Sequence, residues 1–194
     1  QSSDTVAKDS SPATTAAAGS RDNTPVVLTG SADGTVTYGN DSVTVDASHT
    51  EEGYLMVSYS GSNSKVKLQI TGSDEITYTY NLHDGYETFP LTSGSGSYTV
   101  GVFENIEGTS YSTLFTQAID VTIQDEFGPY LYANQYVNFS ADSKVISKAM
   151  ELSASANDDL EVIENVYNYI ITNFTYDYDK ACLLYTSPSP RDRG

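Results

Sequence analysis

The sequence predicts a mainly β protein: a β-sandwich that is followed by two α-helices. Short runs rich in Val, Ile, Thr and Tyr recur between Pro25 and Gln124. Turn clusters rich in Gly, Asp and Ser separate these runs, as in all-β domains. After Phe127 the apolar residues change from strand spacing to helix spacing. The 194-residue chain is long enough for one ordinary domain together with part of another.

Residues 1–24 are predicted to form a disordered tether. They contain mainly Ser, Thr, Ala, Asp and Gly, so they cannot bury enough apolar surface to offset the entropy lost on ordering. A tether of this kind holds a folded module away from a cell surface, and a frayed terminus is the alternative. The chain starts with Gln1 rather than Met, so either a signal segment has been removed or the start is missing.

Residues 25–125 are predicted to form the sandwich. The predicted strands are Val26–Leu28, Thr35–Tyr38, Val43–Asp46, Tyr54–Tyr59, Val66–Ile70, Ile76–Leu82, Tyr86–Phe89, Tyr98–Phe103 and Tyr111–Ile123. Val66, Leu68 and Ile70 alternate with polar residues, which places aliphatic side chains on one face of that strand. The number and spacing of the strands predict an immunoglobulin-like topology.

Two helices are predicted after the sandwich. The first spans about Asp142–Ala156, with apolar residues at helical spacing. The second begins at Asp158, and Glu161 three residues later completes a capping-box pattern. Two helices are too little to form a core, so they either pack on the sandwich or begin another domain. We favour the second alternative.

Composition excludes several classes of partner. The chain has 26 acidic and 9 basic residues and a formal charge of -17. Nucleic acids and anionic membranes would be repelled. No apolar run is long enough for a membrane-spanning helix, so no membrane insertion is expected. The single cysteine, Cys182, allows neither an internal disulfide nor a cysteine metal cluster.

Residues 182–194 (CLLYTSPSPRDRG) differ from the rest of the chain. They contain its only cysteine and two of its three arginines, Arg191 and Arg193. The run from Cys182 to Asp192 resembles one reading frame of the adapter used in transposase-based sequencing libraries. We therefore interpret this tail as an artefact and exclude it from the prediction of fold. Cys182 follows an acidic stretch and precedes proline-rich sequence, which does not suit a reactive thiolate.

Residues 127–181 resemble the start of transglutaminase-like domains found in secreted proteins of gut Firmicutes. Three stretches carry the resemblance: Pro129–Val137 (PYLYANQYV), Val166–Ile170 (VYNYI) and Phe174–Ala181 (FTYDYDKA). The segments Glu87–Leu91 and Gly96–Val100 are similar to the sandwich that commonly precedes such domains. The resemblance implies that residues 126–181 begin a papain-like α+β domain that is truncated here.

The resemblance implies a particular chemistry in the parent protein. In this family a cysteine at a helix start attacks an amide, and a histidine carries the proton within a Cys-His-Asp arrangement. None of these three positions falls within residues 126–181, so no catalytic residue is expected and this fragment should be inactive. The helices around Ile163 and Ile170 are then expected to expose an apolar face that the absent part of the domain would cover.

The expected function is that of a non-catalytic N-terminal fragment of an extracellular or cell-surface anchored bacterial protein. Its sandwich would act as a spacer or as a module that presents substrate. The partner would be the protein or peptide substrate of the parent, or a cell-wall component. The alternative is a non-enzymatic cell-surface adhesin or carbohydrate-binding sandwich, whose two helices merely pack against it.

The remaining polar residues predict no metal or cofactor site. Asp177 and Asp179 lack the loop pattern of a calcium site, and Asp125 and Glu126 lie elsewhere in the sequence. His49 and His83 have no accompanying nucleophile or third ligand at a recognisable spacing, so both are predicted to be turn residues. The tyrosines that suggest either a sugar-stacking platform or core packing are Tyr54, Tyr59, Tyr78, Tyr80, Tyr86 and Tyr98. Core packing is favoured.

Overall fold

The computed structural model describes residues 21–176 and Tyr178. This part of the chain is mainly β, with two α-helices after the strands, as the sequence predicts. The strands are β1 (Thr37–Gly39), β2 (Val43–Asp46), β3 (Tyr54–Tyr59), β4 (Val66–Thr71), β5 (Thr77–Leu82), β6 (Gly85–Pro90), β7 (Gly96–Glu107) and β8 (Ser110–Val121). The helices are α1 (Lys144–Ser153) and α2 (Asp159–Asn173), and short 3-10 helices span Thr50–Glu52 and Gly128–Tyr130.

The chain divides into two compact units. Val26–Ser143 forms one, here called the β body. The described part of the other, here called the helical unit, consists of residues 21–25 together with 144–176 and Tyr178. The predicted domain boundary at residue 125 stays a prediction, although residues 126–143 belong to the β body by their contacts.

The β body contains two antiparallel four-stranded sheets. Their strand orders are β1-β2-β3-β6 and β5-β4-β7-β8. Leu68 of β4 lies opposite Tyr80 of β5 on one side and Val102 of β7 on the other. The β4–β7 pair joins strands that are distant in the sequence, so this register depends on the shared apolar faces rather than on a hairpin turn.

Side chains from both sheets belong to one hydrophobic core. Val45, Val57 and Phe89 enter it from the first sheet. Leu68 and Val100 enter it from the second, and all five side chains are fully buried. The predicted alternation in β4 is confirmed, because Val66, Leu68 and Ile70 are buried while their neighbours are not.

One strand prediction is wrong, and another is too short. Val26–Leu28 is not a strand: Val26 is exposed, and Leu28 forms only an isolated parallel bridge with Tyr132. Its apolar residues find no neighbouring strand with which to form a ladder. β7 continues past Phe103 to Glu107, because Glu104–Glu107 pairs with the start of β8 across irregularities in register. Pairing across the hairpin outweighs the polar sequence there.

Two buried polar side chains, Asp46 and Tyr98, hold turns of the β body in place through hydrogen bonds. Asp46 is buried, and its carboxylate accepts hydrogen bonds from the Gly34 amide (2.7 Å) and the Ser48 amide (2.9 Å). Burial opposes its ionisation, but these hydrogen bonds outweigh burial and lower the pKa of Asp46. Tyr98, buried near the start of β7, donates a hydrogen bond from its hydroxyl to the Gly94 carbonyl at 2.8 Å.

Both helices of the helical unit were predicted. The start of α2 was predicted correctly, whereas α1 was predicted too long. The Asp158 side chain accepts a hydrogen bond from the Glu161 amide at 2.9 Å, which confirms the predicted start of α2. α1 is shorter than predicted, because a turn in which the Ser143 amide bonds to the Ser140 carbonyl precedes it. Arg21, in the described part of the predicted tether, forms an ion pair with Asp159 (2.7 Å).

Residues 126–143 pack closely on the strands and turns of the β body. A β-carbon at Gly53 would lie 2.5 Å from the Pro129 ring, and one at Gly128 would lie 2.4 Å from the Glu52 carbonyl oxygen. The Tyr132 ring packs on the buried Tyr54 ring with 4.4 Å between centroids. Glycine is therefore required at both close approaches, which fix the segment after β8 to the 3-10 helix before β3.

Candidate functional site

An exposed apolar stripe on α2 and its C-cap is a candidate interaction feature of the helical unit. Its members recur at spacings of three and four residues: Leu160, Ile163, Tyr167, Ile170 and Phe174. Ile163 is 63% exposed and Ile170 is 49% exposed, and the other three side chains are also largely exposed. The prediction that the helices around Ile163 and Ile170 expose an apolar face is confirmed.

The α2 stripe lies beside a second face that contacts α1. Val162, Asn165, Val166 and Tyr169 are partly buried, in contrast to the stripe residues on the neighbouring side. The Asn165 amide nitrogen donates a hydrogen bond to the Leu152 carbonyl at 2.9 Å. The Lys148 ammonium group lies 5.1 Å from the centre of the Tyr169 ring. α2 thus presents apolar side chains on two sides, a pattern typical of helices buried inside a larger fold.

The exposed stripe has an energetic consequence. Complete burial of a large aliphatic or aromatic side chain stabilises a fold or complex by about 1.5–3 kcal/mol. Leu160, Ile163 and Ile170 alone therefore represent several kcal/mol that contacts among the described residues do not provide. A row of such exposed side chains is typical of an interaction surface.

A polar network around His49 is a second candidate site, in the β body. The His49 Nδ1 atom lies 3.1 Å from a Glu52 carboxylate oxygen, and Nε2 lies 2.9 Å from an Asp33 oxygen. The Tyr132 hydroxyl donates a 2.5 Å hydrogen bond to the other Glu52 oxygen. The His49 ring stacks on Tyr54 at 5.3 Å between centroids. His49 lies in a turn, as predicted, but no accompanying nucleophile or third ligand was recognised from the sequence, because Asp33, His49 and Tyr132 come from three separate segments.

The His49 network is better suited to binding segments together than to catalysis. The Ser31 hydroxyl oxygen lies 3.2 Å from His49 Nε2, so Ser31, His49 and Glu52 have the connectivity of a serine triad. A general base requires a neutral ring with a free Nε2 lone pair. Asp33 is closer to that nitrogen than Ser31 is, and carboxylates at both ring nitrogens favour the doubly protonated cation.

The electrostatics of this network follow from its contacts. Burial opposes protonation of His49, but the hydrogen bonds to Glu52 and Asp33 outweigh burial and raise the pKa of His49. The hydrogen bond from Tyr132, together with His49, lowers the pKa of Glu52. Burial and the Glu52 carboxylate raise the pKa of the Tyr132 phenol. Below about pH 6.5 the network is therefore a charged His49 between two carboxylates, with Tyr132 neutral.

We expect replacement of His49 by Gln to change the pH dependence of unfolding. The folded-state pKa of His49 lies above its ordinary value of about 6.5, so its stabilisation is complete below that pH. The stabilisation is lost as the pH rises through the raised pKa. At pH 6 the variant should lose about 1.5–3 kcal/mol of unfolding free energy, the usual scale for hydrogen bonds to charged groups. Urea unfolding between pH 5.5 and pH 8.5 measures this difference.

His83 supplies the control for this experiment, because its side chain is 65% exposed and pairs with Glu87 alone among the carboxylates. A His83→Gln variant should keep the pH dependence of the original chain. If His49→Gln unfolds with an unchanged slope against pH, the two-carboxylate account of His49 is wrong.

A third polar cluster joins the Gln135 side chain to both sheets of the β body. The Gln135 side-chain nitrogen donates hydrogen bonds to the Asn81 carbonyl (2.6 Å) and to a Glu87 oxygen (3.1 Å). His83 Nδ1 lies 3.1 Å from the same Glu87 oxygen. These contacts hold residues 126–143 against β5 and β6. His83, predicted as a turn residue, also helps to hold Gln135 in place.

The tyrosines considered as a sugar-stacking platform divide between core and surface. Tyr54, Tyr59, Tyr80 and Tyr98 are buried. Tyr78 and Tyr86 are partly exposed, on different sheets. The favoured interpretation as core residues therefore holds for four of the six, and the six do not form one platform.

The acidic residues do not converge on a cation site in the part of the chain that the structure describes. There, no three His, Cys, Asp or Glu side chains are arranged to hold a metal ion. Asp125 and Glu126 line a groove of the β body. Asp177, Asp179 and Cys182 lie outside the described residues. Within the described range, neither helix is long and apolar enough to cross a membrane.

The chain matches no protein-family model, no curated protein and no solved structure. Function must therefore be argued from the residues themselves.

Proposed function

We propose that this chain is a non-catalytic N-terminal part of an extracellular transglutaminase-like protein. In this proposal residues 25–125 form a spacer or substrate-presenting module, and residues 126–181 begin the catalytic domain. The parent would use a Cys-His-Asp arrangement supplied by other residues, and its substrates would be proteins, peptides or cell-wall components. The sequence resemblance in Pro129–Val137, Val166–Ile170 and Phe174–Ala181 supports this assignment.

The α2 stripe is the observation that carries the proposal. α2 has one side against α1 and a second apolar side toward solvent, centred on Ile163 and Ile170. A helix of this kind is suited to the interior of a domain, between α1 and a further layer. If the helices merely completed the β body, as in the adhesin alternative, a solvent-facing stripe would have no role.

Two features support an immunoglobulin-like topology for the β body. In that topology the first, second and fifth strands share one sheet, and the third, sixth and seventh share the other. β2, β3 and β6 fit the first set, and β4, β7 and β8 fit the second. The hydroxyl of Tyr98, at the start of β7, bonds to the backbone at Gly94, as in the tyrosine corner of such domains. This arrangement suits a spacer that holds another domain away from its anchor.

The source gene provides the test of this proposal. Its reading frame should be determined from uncontaminated DNA past the codon for Ala181. The proposal predicts a continuing frame that encodes a cysteine at a helix start, followed by a histidine and an aspartate. A stop codon, or a further sandwich repeat in place of these residues, would favour the adhesin alternative and contradict the enzyme assignment.

A further inference from the structure

A groove lies at one end of the β body. It has a volume of about 630 Å³, within the usual range for ligand sites. Its walls are the turn between β6 and β7, including Thr92 and Ser95, and the segment after β8. Phe127 and Tyr130 line it and are 63% and 66% exposed.

The walls of the groove are held in place by short contacts. The Ile123 amide donates a hydrogen bond to the Ser95 hydroxyl at 2.9 Å, which joins the two walls. The Gln124 amide bonds to the Glu51 carbonyl, also at 2.9 Å. The close approaches of Pro129 to Gly53 and of Gly128 to Glu52 fix the segment that carries the two aromatic rings. The groove is therefore largely preformed, which lowers the entropy cost of binding.

The charge of the groove selects a cationic ligand. Asp125 and Glu126 line it, and no Lys or Arg does. Glu126 is exposed, and its carboxylate has no partner among the described residues. Lys65 and Lys67 are the only Lys or Arg residues in the whole β body, so the surrounding field is strongly negative.

We propose that this groove binds a lysine or arginine side chain of an extended peptide segment. The cation would pair with the Glu126 carboxylate and lie against the rings of Phe127 and Tyr130. Aromatic rings attract cations through their quadrupole, and a carboxylate adds a charge-assisted hydrogen bond. The alkyl part of the lysine or arginine side chain would cover the apolar surface of the same rings. The site would bind its ligand whether or not the parent is an enzyme.

The test is a titration of the whole isotope-labelled chain, followed by the amide NMR signals. The probe is an acetylated, amidated peptide of sequence Gly-Ser-Lys-Ser-Gly, compared with a version in which norleucine replaces lysine. We expect the lysine peptide to shift the amide signals of Phe127, Gly128 and Tyr130 in a saturable manner. The norleucine peptide should produce no saturable shift, because it keeps the alkyl chain and lacks the charge.

Matched variants separate the groove from general attraction to an acidic protein. Glu126→Gln and Phe127→Ala should each weaken binding of the lysine peptide, the first by about tenfold. Glu107→Gln makes the same charge change at the far end of β7, about 35 Å away at the usual strand rise. This control should weaken binding less than twofold.

Three results would overturn the proposal. Equal weakening by Glu107→Gln and Glu126→Gln would show diffuse charge attraction instead of a site. Equal binding of the norleucine peptide would remove the role of the cation. Saturable shifts at the groove with a chitin or cellulose tetrasaccharide, and none with the lysine peptide, would identify it as a sugar site.

Discussion

Replacement of Phe89 by Ala is expected to cost the β body about 3–5 kcal/mol of unfolding free energy. Phe89 is fully buried in β6, and its ring packs edge-on against the Tyr80 ring with 5.0 Å between centroids. Tyr80 belongs to the other sheet, so the truncation removes a contact that joins the two layers as well as apolar burial. A typical domain has only about 5–15 kcal/mol of stability, so the variant will be marginal.

Urea unfolding measures this loss as a lower transition midpoint with an unchanged slope. Tyr86→Ala is the matched control, because Tyr86 lies in the same strand and its side chain is 47% exposed. It should cost well under half as much as Phe89→Ala. Equal costs for the two variants would contradict the placement of Phe89 between the sheets.

Removal of residues 125–143 from the β body is expected to have a comparable effect. Two chains beginning at Val26 can be compared, one ending at Ser143 and the other at Gln124. The shorter chain loses the Tyr132 ring that packs on the buried Tyr54 ring, as well as the Gln135 anchors. Exposing Tyr54 and losing these contacts should cost about 3 kcal/mol or more.

Thermal unfolding followed by near-ultraviolet circular dichroism measures the difference between the two chains. The chain that ends at Ser143 should unfold cooperatively by itself. The Gln124 chain should have a clearly lower melting temperature. Equal melting temperatures would show that residues 126–143 belong with the helical unit in folding, as the predicted boundary at residue 125 implies.

Local patterns in the sequence were sufficient to predict part of the fold. The alternation around Leu68 predicts a strand with one buried face, and the Asp158 and Glu161 pair predicts the start of α2. Both succeed because the physical cause lies within a few residues: side-chain period in one case and an unsatisfied helix terminus in the other. The stripe from Leu160 to Phe174 was also visible, because helical spacing requires no knowledge of the rest of the fold.

The groups that meet around His49 could not be predicted in this way. Asp33, His49 and Tyr132 come from separate segments, and the topology of the β body brings them together. Such contacts depend on long-range register, which single-sequence patterns do not encode.

We interpret the α2 stripe as a surface that another layer of protein covers. A double variant, Ile163→Gln with Ile170→Gln, tests it directly when helix unfolding is followed at 222 nm in the whole chain. We expect the free energy of unfolding to change by no more than about 0.5 kcal/mol, as for other exposed positions, and the variant to bind less of a hydrophobic dye. Val166→Gln, on the α1-facing side of the same helix, should cost more than the double variant. A loss of several kcal/mol in the double variant would show that the stripe is already buried within this chain, and the claim would fail.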